Sequence, residues 1–444
     1  MQTPIYDFVV QYAKEDPVRM HMPGHKGRLG APLLQDVAAL DLTEIEGADS
    51  LFEASGIIAE SEENAARLFG AADTFYSCAG STLCIQTMLY LMKQEGRTVV
   101  AARNVHRAFL HACVLLDIDV IWVYPEQEET AGLFSQRYKP EAFAAALESL
   151  QRPGCVYITS PDYAGNMMDV AAISEVCRKY SARLLVDNAH GAHLAFLPYR
   201  CHPMQLGADY CCDSAHKMLS GLTGTAYLHV GTEVDVSPER VRDAMAVFAS
   251  TSPSYLLLAS LDWCNRELDS PLFRQQLEAV SHGSLQVRKN LADQYVFVQG
   301  EPLHLTIDAY ASHMDGREIA AYLRENHIVV EYADAYYVVL LLSAATKQEE
   351  LDQVERALRA FTPQKPAPAK RPKLPHPKQV CGIREAALAP WERIPVQKSR
   401  GRICAAVEVP CPPAIPLILS GERIDRTGIA ACEGYGQEYI LVVK

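Results

Sequence analysis

The sequence lacks the basic stretch followed by an apolar one that marks a secretory signal. Its start, MQTPIYDFVVQYAKEDP (1–17), is interrupted early by acidic residues and proline. No run of about 18 apolar residues occurs, so no membrane-spanning helix is expected. The longest apolar stretch, YYVVLLLSAA (336–345), is strand-sized. The 13 cysteines include no CxxC pair. Without an export signal they read as reduced thiols of a cytoplasmic protein. Positive charge is in deficit, and the formal net charge is −13. That excludes nucleic acid as the expected partner, because neutralising phosphates takes clustered Lys and Arg. No internal repeat is visible.

What is present is a large globular composition. With 444 residues, 49% of them hydrophobic, the chain calls for two or three domains around a sizeable core. Residues 1–55 read as an irregular lead segment with two Gly-bearing loops, HMPGHKGR (21–28) and EIEGADSLF (44–52). Residues 56–290 then alternate helical and strand-like patterns. The strands are DTFYSC (73–78), TVVAA (98–102), DVIWVY (119–124), CVYIT (155–159), RLLVD (183–187), ADYCCDS (208–214) and GTAYLHV (224–230). Alternation of this kind predicts an α/β domain whose mostly parallel sheet is flanked by helices. A long helical region (254–294) leads out of it. A smaller α/β domain follows at 291–361, with VVEYADAYYVVLLLSA (329–344) read as a strand. Residues 362–379 are rich in Pro and Lys and read as a linker. A tail domain fills 380–444.

In an open parallel sheet, ligands sit at the carboxyl ends of the strands. Three polar clusters fall there. In AGST (79–82), Gly80 lets the backbone approach an anion, and Ser81 and Thr82 open a helix whose N-terminus attracts phosphate. Ser and Thr at a helix start are more often plain caps. In LLVDNAHGAHLAF (184–196), Asp187 ends an apolar strand, where burial disfavours its charge unless a cation pairs with it. His190 and His193 could be ligands, although histidines near strand ends are usually structural.

The third cluster is CCDSAHKMLSG (211–221). Cys211 and Cys212 are consecutive in a strand and point to opposite faces, so they do not converge on one metal; they are left as strand packing. No metal site is expected. Lys217 just past the strand, beside Ser214 and His216, could form a Schiff base. Taken alone it is an exposed turn lysine. An anion cradle, a strand-end Asp and a strand-end Ser-x-His-Lys in this order suit pyridoxal phosphate (PLP).

Several segments are similar to the short-form ornithine/lysine/arginine decarboxylases. They are HMPGHKG (21–27), residues 43–71, DNAHGAHLAF (187–196), SAHKMLSGLTGTAYLHV (214–230), TSPSYLLLASLD (251–262) and PPAIPLILSGERI (412–424). The resemblance implies PLP fold type I, with a seven-stranded sheet in the large domain and a smaller C-terminal domain. It implies decarboxylation of arginine, lysine or ornithine to a di- or polyamine. Lys217 would bind the cofactor, Asp187 would pair with its ring nitrogen, and His106 and Ala189 would lie against its two faces. Gly80, Ser81, Thr82, Ser214 and His216 would meet the phosphate, with His190 in the same cofactor-binding set. Ser252 would reach the cofactor of a partner subunit, in a homodimer or larger homo-oligomer. Glu408 and Cys411 are placed near the active site. Three departures from the family pattern fall close to these residues: Asp162 in TSPDYAGN, Ser220–Gly221 after the lysine, and Leu83–Cys84 after AGST. An aminotransferase, with a carboxylate clamp among Arg393, Arg400, Arg402, Arg423 and Arg426, is the rival enzyme. A degenerate, non-catalytic subunit is the rival of another class.

Overall fold

The computed structural model describes residues 1–126, 133, 137–411 and 415–444, without the side chains of residues 410 and 411. Seven strands form the large sheet: β1 (Asp73–Ser77), β2 (Thr98–Ala102), β3 (Val120–Val123), β4 (Gly154–Thr159), β5 (Arg183–Asp187), β6 (Tyr210–Asp213) and β7 (Ala226–Val230). Their order is β1-β7-β6-β5-β4-β2-β3. The β2–β3, β2–β4 and β5–β6 pairs are parallel. β7 runs antiparallel to both β1 and β6. The parallel strands are continuous apolar runs because helices cover both faces; β4 is buried along its whole length. Among the described residues no helix is long and apolar enough to cross a membrane.

Contacts divide the chain into two compact units, Met1–Leu91 with Arg183–Gln275, and Met92–Ala182 with Gln276–Lys444. In the first, the helix Ile57–Phe69 buries Ile58, Ala65, Ala66 and Phe69 at helical spacing and stops at Gly70, whose φ is +68°. The lead segment is less irregular than its sequence suggests. Pro4–Glu15 is a helix with Ile5 and Val9 buried. Thr3 gives its N-terminus no side-chain cap. Asp262, from a helix more than 250 residues later, accepts from the amides of Ile5 and Tyr6 at 2.9 Å each. Asp262 also accepts from Ser61 at 2.5 Å. The next residue, Glu62, pairs with Arg242 at 2.5 Å and accepts from the Tyr76 amide. Burial outweighs the attraction of Arg242 and pushes the Glu62 carboxyl up to about 7; burial likewise lifts Asp262 to about 6.

In the second unit, β8 (Val296–Phe297), β9 (His304–Asp308), β10 (Tyr332–Ala333) and β11 (Tyr337–Leu341) form a four-stranded antiparallel sheet ordered β10-β11-β9-β8. The stretch 329–344 is therefore two strands, not one. The Asp334 carboxylate accepts from the Tyr336 and Tyr337 amides at 2.7 Å, which closes a tight turn between them. The helical region 254–294 is likewise divided, into Tyr255–Leu268 and Pro271–Asn290, with proline opening the second helix. In the tail, Ile415, Leu417, Ile418, Ile440 and Val442 build a core of their own with Tyr337 and Val396. Arg103, fully buried just past β2, reaches the tail. Its Nη2 donates to both oxygens of Glu422 at 3.2 and 3.1 Å, and its guanidinium lies 5.2 Å from the Trp122 ring centre. Glu422 also accepts from the Leu419 amide at 2.7 Å.

Two outcomes are expected. Arg103→Met strands the Glu422 charge in the interior and costs about 3–5 kcal/mol, whereas Arg103→Met with Glu422→Leu recovers most of the loss. Calorimetry on the single and double variants checks this, and a single-variant loss no larger than that of a surface change would contradict it. Second, the folded chain holds the Glu62 proton more tightly than the unfolded chain. Its contribution is complete below about pH 4.5 and fades as pH rises through about 7. Thermal melts of Glu62→Gln across that window should show a shallower fall with pH than wild type.

Candidate active site

Within the first unit, β5 and β6 lie side by side with Asp187 opposite Cys212. Asp187 is 2% exposed, and its Oδ1 accepts from the Ala189 amide at 3.1 Å and from the Cys212 thiol at 3.7 Å. Three residues past Asp187 on that turn, His190 meets Lys217: Nε2 and Nζ are 3.0 Å apart. Strand order and a one-turn helix, Ala215–Met218, explain the meeting. β6 delivers Lys217 to the end of the sheet where β5 delivers Asp187 and His190. Burial holds the Cys211 and Cys212 thiols far above their usual range, so both stay protonated and act as weak donors.

The anion-cradle residues of this unit also converge. The β1 strand ends at Ser77, and the helix Gly80–Gln94 begins three residues later. Gly80 has φ +65°, which a side chain rarely tolerates, and a Cβ there would meet only His216 Cε1, at 3.9 Å. Ser81 and Ser214 share a hydroxyl–hydroxyl hydrogen bond. His216 Nδ1 donates to the Thr225 carbonyl at 2.8 Å, which leaves Nε2 as its acceptor. The Gly80 amide donates to the Gly224 carbonyl at 2.7 Å. Thr82 is exposed at the same helix start, and Ala189 is buried beside Asp187. This donor set suits PLP: amides, hydroxyls and an imidazole for a phosphate, a buried carboxylate for a protonated ring nitrogen, and an amine held at 3.0 Å from an imidazole.

The other residues singled out in the sequence have these surroundings. Ser252 is exposed, and its amide bonds Ser250. His193 is fully buried in the 3-10 turn Ala192–Phe196. In the second unit, His106 caps the helix Arg107–Leu116 by accepting from the Ala108 amide at 3.2 Å. Arg107 pairs with Glu408 at 3.2 Å, so the strand Glu408–Cys411 lies next to the His106 turn. The Cys411 side chain falls outside the described residues.

The departures from the family pattern have structural explanations. Asp162 folds its own loop: its carboxylate accepts from the Ala164 amide at 2.9 Å, the Asn166 amide at 3.0 Å and the Asn166 side chain. Burial pushes its carboxyl up, against these hydrogen bonds. Gly221 lies where a Cβ would come within 2.5 Å of Thr225 Oγ1 and 3.0 Å of Ala215 Cβ, so the lysine turn closes only on glycine. Ser220 turns away and bonds Glu267. Leu83 and Cys84 are buried in the helix that follows Gly80.

A cluster absent from the sequence reading lies behind Asp187. His202, Cys211, Asp213 and His229 are all fully buried and meet at Asp213. They are distant in sequence from one another except for the Cys211–Asp213 pair, so no spacing announces them.

Two family profiles match the chain. "Orn/Lys/Arg decarboxylase, major domain" spans residues 3–309 and "Orn/Lys/Arg decarboxylase, C-terminal domain" spans 373–433. The arginine decarboxylase of Halalkalibacterium halodurans is 30% identical over 460 residues, covering 97% of this chain and 92% of that one. The lysine decarboxylase of Francisella novicida superposes with a TM-score of 0.83 at 16% identity, covering 100% of this chain and 81% of that one. Lysine decarboxylase A of Pseudomonas aeruginosa gives 0.80 at 20%, covering 99% and 80%. With more than half of its length matched by the major-domain profile and both modules present in order, the chain belongs to the Orn/Lys/Arg decarboxylase family.

Proposed function

We propose that this chain is a PLP-dependent decarboxylase of a basic amino acid, with arginine as the leading substrate. The observation that carries the proposal is the meeting of Lys217 with His190 at 3.0 Å beside the buried Asp187. The favoured substrate follows the arginine decarboxylase relatives at 30% identity over nearly the whole chain.

In this reading Gly80, Ser81, Thr82, Ser214 and His216 hold the cofactor phosphate. Asp187 keeps the ring nitrogen protonated, because a buried carboxylate favours a cationic partner. His106 and Ala189 flank the ring. Lys217 carries the cofactor, with His190 at its amine. PLP, when bound, supplies an electron sink for the bonding pair left behind by CO₂. Lys217 Nζ is the group that returns a proton to the substrate carbon, and the hydrogen bond to His190 aims it. Ser252, on an exposed loop, would complete the site of a partner subunit in a homo-oligomer. Among the described residues the cysteines form no disulfide and most are buried, which fits a reducing cytoplasm.

Two arginines proposed as a transaminase clamp are engaged elsewhere. Arg402 bonds Glu392 at 2.7 Å, and Arg393 lies 4.1 Å from the Tyr439 ring centre.

The test is CO₂ release from arginine, lysine and ornithine by the purified chain supplied with PLP. Arginine should be turned over fastest, with an amine product and no keto acid. Lys217→Ala should lose the visible absorbance of the bound cofactor and on the order of 10³-fold or more of the activity. Keto-acid formation would turn the reading to an aminotransferase. A wild-type chain that takes up no PLP would end it.

A further inference from the structure

The cluster at Asp213 could in composition hold a metal, since His202, Cys211 and Asp213 bring ligand atoms within 4.8 Å of one another. Hydrogen bonding argues otherwise. His202 Nδ1 accepts from the Met204 amide at 3.3 Å, so the ring's hydrogen is on Nε2, which faces Asp213 Oδ2 at 2.8 Å. A metal on Nε2 would leave that ring with no hydrogen at all. His229 Nε2 approaches the same oxygen at 3.1 Å, with Thr74 on Nδ1 at 2.8 Å. The other oxygen, Oδ1, accepts from Asn188 Nδ2 at 2.5 Å and from the Cys211 thiol at 3.8 Å.

Burial pushes the His229 imidazole down and the Cys211 thiol up, and Asn188 does not titrate. Against its desolvation, the charge attraction of His202 and then the hydrogen bonds from His202 and His229 hold the Asp213 carboxyl well below the usual carboxylate range. Asp213 is thus an ionised, fully buried carboxylate. The titratable groups facing it are His202, His229, Cys211, Cys84, Tyr227 and, one strand over, Asp187. Asn188 ties the two carboxylates together. It follows Asp187 in sequence, donates its amide to the Cys212 carbonyl at 3.0 Å, and extends its side chain to Asp213.

We propose that Asp213 is a positioning residue for Asp187: through Asn188, whose side chain it holds, it fixes the turn that aims the Asp187 carboxylate. The inference rests on the proposed role of Asp187 in holding the protonated ring of PLP. It assigns Asp213 no contact with the cofactor.

The test compares wild type with Asn188→Ala and Asp213→Asn in the full chain. PLP affinity, the visible spectrum of the bound cofactor across pH, and the thermal midpoint without cofactor are measured. Each variant should bind PLP about tenfold or more weakly, and its cofactor band should titrate about one pH unit lower, as expected for a less stabilised ring cation. Affinity within about twofold of wild type and an unmoved titration, whatever the thermal midpoint, would overturn the proposal. If Asp213→Asn does not fold, Asn188→Ala decides by the same readouts, since it leaves Asp213 with three donors. Failure of wild type to bind PLP is a different result: it removes the role of Asp187 itself.

Discussion

Carboxylates out of reach of water govern much of this structure. Asp162, Asp187, Asp213 and Glu422 are each nine-tenths or more buried, all but Glu422 at or just past the carboxyl ends of strands in the large sheet. A buried carboxylate is tolerable only where donors are brought to it. The chain brings them by three routes. Asp162 bends its own loop around itself. Asp213 gathers two imidazoles, an amide and a thiol from two strands and two turns. Glu422 recruits a guanidinium from more than 300 residues away. The local backbone follows from these demands, including the turn that presents His190 to Lys217.

The same reasoning shows what the sequence could and could not disclose. Continuous apolar strands such as RLLVD and CVYIT were legible because both faces of a parallel sheet are dry. Lys217, Asp187 and the Gly80 turn were legible because strand ends are where such a sheet keeps its chemistry. The first helix was hidden because its cap is Asp262, a residue no local pattern connects to Thr3 or Pro4. The break within 329–344 was marked by an aspartate, but the apolar residues around Asp334 outweighed it. The network at Asp213 was the least visible part. Asp213 stood in full view between two cysteines and the lysine turn, yet His202 and His229 reach it only after three elements pack. Cys211 and Cys212 do point to opposite faces, but each thiol meets a carboxylate where simple packing had been expected.

The places where the chain departs from its family's pattern resolve into geometry. Gly221 is a matter of space beside Ala215 and Thr225, and Asp162 is a loop closure. Neither change removes a residue from the set around Lys217. A second buried carboxylate, Asp213, shares the Asn188 turn with Asp187.

The pair between Arg103 and Glu422 has a consequence for ancestry. The two family modules are separable as text, one ending at residue 309 and the other starting at 373. They are not separable as matter. A gene shortened before the second module would leave a guanidinium bare inside an apolar interior, and one recombined with a foreign tail would have to supply a carboxylate at that same point. A change on either side of this pair is therefore felt by the other module, and the tail bears on a residue that stands three places before His106.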